Sequence, residues 1–150
     1  MLNKLFSLFR TKKIAFIDGD QNIPMALKAY EKYVAGTGTE AHFIKMKEAD
    51  QNEPKLLRNV SGLNKIYLAG MTAGKEATDK FIGAYIQRAV SEGYREITVI
   101  SNDYDFIDIF KMAVQVDSAA SKVTFRMIMP RAQGRAAALP SKLLNIEVIK

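Results

Sequence analysis

At 150 residues, with 48% apolar and 25% charged side chains, the chain has the size and composition of one globular domain able to bury a core. It contains no cysteine, which excludes disulfides and thiolate metal sites and fits a reducing, cytoplasmic setting. No apolar run approaches the roughly 18 residues that span a bilayer. The net charge of +6 is unevenly placed. Lys4, Arg10, Lys12 and Lys13 precede any acid, and Lys122, Arg126, Arg131, Arg135, Lys142 and Lys150 near the end face only Glu147. Residues 18 to 118 hold 12 basic and 15 acidic side chains. Basic flanks around an acidic centre suit a polyanion held near a metal-binding carboxylate cluster, although surface charge for solubility gives the same composition.

In chain order, residues 1–13 form a basic amphipathic segment with Leu2, Leu5, Phe6 and Phe9 at helical spacing. It lacks the cleavage site of a signal peptide. The domain proper is expected over 14–150. Ile14-Ala-Phe-Ile17 is a continuous apolar run that breaks into Asp18-Gly-Asp-Gln-Asn22, the pattern of a buried parallel strand and its turn. Asn22 can cap a helix carrying Pro24 in its first turn. Thr39 to Met46 alternates as a strand, Glu53 to Val60 fits a short helix, and Lys65 to Ala69 is a third strand. A helix from about Gly74 to Glu92 carries Phe81, Ile82, Tyr85, Ile86, Ala89 and Val90 as one apolar stripe and stops at Gly93. Ile97 to Ile100 repeats the first pattern, an apolar strand running into Ser101-Asn-Asp-Tyr-Asp-Phe106. A helix from about Asp105 to Val114, a strand from Lys122 to Met129, a basic loop from Pro130 to Ala137 and a last short strand at Ile146 to Ile149 complete the chain. Alternating strands and helices predict one three-layer α/β domain with a mostly parallel sheet of five or six strands.

In such a sheet, right-handed crossovers place every strand end and following helix start on one edge. Asp18 and Asp20 follow the first strand, and Asp103 and Asp105 the fourth. Asp79 lies in phase with Ile82 and Ile86, one turn nearer the edge. Each acid alone has an ordinary reading as a turn, cap or helix-dipole residue. Three segments converging with carboxylates predict a site for a hard cation, Mg²⁺ or Mn²⁺. Ser101 and Asn22 are supporting candidates, the latter also as a cap, and Lys75 either meets phosphate or pairs with Asp79 at i,i+4. Lys12, Lys13, Arg126, Arg131 and Arg135 in the basic flanks are candidate phosphate contacts. His42, the single histidine, has no metal-binding or general-base role in this reading.

The stretches IAFIDGDQNIP, GKEATDKFIGAYI and ITVISNDYDF resemble, in order and spacing, the NYN family of PIN-like nucleases, across most of the chain from Ile14 to Met129. The Ser101-to-Phe106 element carries the most specific part. The resemblance implies a PIN-like sheet and a metal-dependent endoribonuclease acting on RNA. It makes Asp18, Asp79 and Asp103 metal ligands and Asp105 a further ligand or water-orienting group, with Asn22 and Ser101 in support. Many relatives carry another acid about two turns along the Asp79 helix, where this chain has Tyr85, Ile86 and Gln87, so one metal and two both stay open. Two other readings stand beside it. One is a non-catalytic RNA-binding or scaffold module on the same fold. The other is a haloacid-dehalogenase-type phosphatase using Asp18 and Asp20, a motif that Asn22 fits poorly. Oligomeric state stays open, a homo-oligomer included.

Overall fold

Along β1 (Lys13–Asp18) successive side chains point to opposite faces, so one apolar run feeds two cores. Ile14 and Phe16 join one cluster, and Ala15 and Ile17 join the other. The computed structural model describes residues 12–20, 22–47, 57, 60–69, 77–117, 122–130 and 146–149. After β1 come α1 (Ile23–Tyr33), β2 (Glu40–Lys47), β3 (Leu63–Ala69), α2 (Ala77–Ser91), β4 (Glu96–Ile100), α3 (Asp105–Val116), β5 (Thr124–Ile128) and β6 (Ile146–Ile149). Residues 1–10, Lys75, Arg131, Arg135, all of the 53–60 helix but Leu57 and Val60, and all of the 130–137 loop but Pro130 lie outside the described residues.

The sheet order is β3-β2-β1-β4-β5-β6, and every pairing is parallel. The mostly parallel sheet expected from sequence is thus parallel throughout the described residues. The chain steps outward from β1 to β3, crosses back over β1, and steps outward the other way from β4. Such a reversal opens a crevice at the carboxyl ends of the two central strands. Here those strands are β1 and β4, with Ile17 opposite Ile100 as the last paired residues.

Helix α1 covers one face through Ala26, Leu27, Ala29 and Tyr30. Helices α2 and α3 cover the other, through Ile82, Ile86, Ala89, Val90, Phe106, Ile107, Phe110 and Ala113. The result is three layers. Phe16, Phe43, Phe106, Phe110 and Phe125 are fully buried; each such side chain contributes about 1.5–3 kcal/mol of transfer free energy. Packing of this size holds the frame and leaves the polar edge free to carry unfavourable charge. The Asn22 side-chain oxygen accepts the Met25 N–H at 3.1 Å, the cap expected for α1. At the far end of α2, Gly93 has φ +88°. Its N–H reaches Val90 O and that of Tyr94 reaches Ala89 O, the paired bonds of a Schellman ending.

Candidate metal centre

The turn after β1 is fixed by a close backbone approach. The Gly19 N–H donates to Ile44 O at 2.7 Å. A Cβ at Gly19 would lie 2.5 Å from Phe43 Cζ and 2.9 Å from Ile44 O. Only glycine fits between the turn and β2, and this holds Asp18 and Asp20 on either side. Asp18 is 4% exposed. Its Oδ1 accepts the Asp20 N–H at 3.1 Å, and its Oδ2 accepts the Ser101 hydroxyl at 2.9 Å. Ser101 Oγ in turn accepts the Asp103 N–H at 3.1 Å, and Asp103 Oδ1 accepts the Asp105 N–H at 2.9 Å. A relay of short polar groups therefore runs from the end of β1, across the reversal, to the start of α3.

Asp79 enters from the other helix. It occupies the first turn of α2, as Asp105 does of α3, where the positive helix ends favour anions. Immediately before it, the hydroxyl of buried Thr78 donates to Asp20 Oδ2, tying α2 to the β1 turn. Asp79, Asp103 and Asp105 each place a carboxylate oxygen within 4.8 Å of the other two, a spacing that can hold a metal ion. Burial and close spacing both disfavour charge on such carboxylates. Asp79 is pushed up to about 7, first by burial, then by a hydrogen bond to Asp103 and by the charges of Asp103, Asp18 and Asp105. Asp18 is raised as well, chiefly by burial, against the lowering effect of the Ser101 and Asp20 hydrogen bonds. An all-oxygen donor set of this spacing fits a hard ion.

The expected residues thus fall into three groups. Asp79, Asp103 and Asp105 form the close set. Asp18, Asp20, Ser101 and Asn22 surround it: Asp18 acts on Asp79 through its charge, and Asn22 shares a small cleft with Asp18, Ser101 and Asn102. The basic candidates lie elsewhere. Lys12 sits over the Tyr94 ring at 5.1 Å, Lys13 pairs with Glu96 at 3.7 Å, and Arg126 reaches Glu96 at 3.3 Å. Lys13 begins β1 and Asp18 ends it, so about 16 Å of strand separates them. The structure does not bring Lys12, Lys13 or Arg126 to the carboxylates.

His42 also lies toward the amino edge. Its Nε2 is 3.0 Å from Glu40 Oε2 and its Nδ1 2.9 Å from Asn64 Nδ2, so both ring nitrogens are engaged. Thr78 is the positioning residue that sequence reasoning missed. A lone threonine at a helix start carries no pattern beyond its place next to Asp79. No described helix is long and apolar enough to cross a membrane. No protein-family model matches the chain, and no curated protein matches it significantly.

Proposed function

We propose that this protein is a metal-dependent endoribonuclease of the PIN-like, NYN type, working in the cytoplasm. The observation that carries the reading is the meeting of Asp79, Asp103 and Asp105 at the sheet reversal, with buried Asp18 behind them. When bound there, Mg²⁺ or Mn²⁺ supplies an activated water and neutralises charge developing on the scissile phosphate. Asp79 and Asp103 hold the ion through oxygen. Asp105, exposed at the first turn of α3, faces solvent and is placed to orient the attacking water and take its proton. Asp18 holds the Ser101 end of the relay. The phosphatase reading is less well supported. Both oxygens of Asp18 are already engaged and the side chain is buried, whereas a nucleophile must meet its phosphorus.

The test is cleavage of a labelled RNA in Mg²⁺ or Mn²⁺ by wild type and by Asp103→Asn, with circular dichroism to show that the variant is folded. Metal-dependent cleavage that the variant loses supports the nuclease. Salt-sensitive RNA binding in both proteins without cleavage in either would replace it with the non-catalytic module.

A further inference from the structure

A groove of about 350 Å³ runs between α2 and α3, lined by Asp79, Lys80, Gly83, Ala84, Gln87, Asp105, Ile109 and Met112. Its size falls in the range of small-ligand sites, about 300–1,000 Å³. Two of its walls, Asp79 and Asp105, belong to the close carboxylate set, so the groove is continuous with the candidate metal centre. A phosphodiester seated at the metal must extend one of its nucleotides along some surface, and among the described residues this groove is a concave surface that adjoins the carboxylates.

The lining suits a base better than a polar ligand. Gly83 and Ala84 keep the α2 wall low. Ile109 packs close to Gly83, with its Cδ1 3.4 Å from where a Cβ would stand. Met112 is 57% exposed, which leaves a polarizable thioether at the outer end of the groove. Gln87 offers an amide that can donate to and accept from a base edge, and Lys80 offers a cation at the rim. Paired, stacked bases cannot enter a slot between two helices; an unpaired one can.

We propose that the α2–α3 groove is a nucleotide subsite, taking the base of an unpaired nucleotide next to the phosphate at the carboxylates. This rests on the nuclease reading for the phosphate's position, but the groove can be tested apart from cleavage. Ala84 is exposed on α2, so Ala84→Phe fills the groove without disturbing the core.

The experiment measures binding of a labelled single-stranded oligoribonucleotide in Ca²⁺ by fluorescence anisotropy, and of the same strand annealed to its complement. It also measures cleavage in Mn²⁺ and Mn²⁺ affinity by electron paramagnetic resonance. We expect tighter binding of the single strand, and a loss of about tenfold in Ala84→Phe, the scale of one stacked base. Mn²⁺ affinity and Tm should stay unchanged in that variant, and Gln87→Ala should alter base preference. Equal affinity for the duplex, or unaltered single-strand binding and KM in Ala84→Phe, would overturn the proposal. So would a change only in self-association, which would mark the groove as an interface between copies. Binding that depends on Ala84 in a protein that cleaves nothing would sustain the groove and sink the nuclease. Cleavage indifferent to Ala84→Phe would do the reverse, and a protein that binds no RNA would lose both.

Discussion

The Ser101 hydroxyl donates to Asp18 Oδ2 across the two central strands, 83 residues apart in sequence, at 2.9 Å. It is a fully buried bond to a carboxylate that burial already pushes toward the neutral form. Removing the donor would leave a buried carboxylate oxygen unsatisfied, a loss of about 1–3 kcal/mol. Ser101→Ala should therefore lower the urea midpoint with an unchanged slope and raise the Asp18 pKa further. Asp103 would also lose the acceptor for its N–H, so Mn²⁺ affinity should fall. Ser101→Thr, which retains the hydroxyl, should recover part of both. An alanine variant with wild-type stability and metal affinity would show that the relay is not holding the site.

Gly19 illustrates a constraint of space alone. A methyl group there would meet Phe43, fully buried, and a backbone oxygen that its own N–H already binds. Gly19→Ala should cost about 1–3 kcal/mol, in the manner of an overpacked core. It should also displace Asp18 and Asp20 together, so that metal affinity drops with stability. Chemical denaturation and a Mn²⁺ titration of the folded variant would check both.

The two strand-end turns were legible because an apolar run that stops abruptly at short polar residues has few other structures to adopt. Ile14 to Ile17 before Asp18, and Ile97 to Ile100 before Ser101, are such runs. Asp79 was legible from phase, since it shares the inward stripe of Ile82 and Ile86 one turn earlier. Which carboxylates come closest was not legible. That depends on side-chain direction within turns, where the Ser101 hydroxyl and the Asp20 N–H engage both Asp18 oxygens while Asp105 joins Asp79 and Asp103. The placement of the basic flank was not legible either, for a different reason. Lys12 and Lys13 are near Asp18 in sequence, but strand direction sends them to the opposite edge, where Lys13 meets Glu96.

Thr78 gives a sharper test of how α2 is positioned. Its hydroxyl binds Asp20 Oδ2 from a buried site at the start of the helix that carries Asp79. Thr78→Val keeps the shape and removes the donor, at an expected cost of about 1 kcal/mol. Asp20→Asn in the Thr78→Val background should then add less than it does in wild type, because residues sharing one bond are not additive. Full additivity in the double-mutant cycle would mean that the Thr78–Asp20 bond contributes nothing.

Asp79 makes the site pH-dependent, with a sign that metal should reverse. Its carboxyl is raised to about 7 in the folded protein, against about 3.9 in an unfolded chain. Between those values the folded state binds the extra proton, so the contribution of Asp79 to stability is fully present below about pH 4 and is lost as pH rises through 7. Without metal, the Tm of wild type relative to Asp79→Asn should therefore fall across that window and level off above it. A bound divalent cation takes the place of the proton. Its stabilisation should be small at pH 5, grow through pH 7, and be missing in Asp79→Asn. Thermal denaturation at pH 5, 6, 7 and 8, with and without Mg²⁺, reads both trends. A wild-type Mg²⁺ effect that does not vary with pH, or one that persists in Asp79→Asn, would remove Asp79 from the metal's ligands.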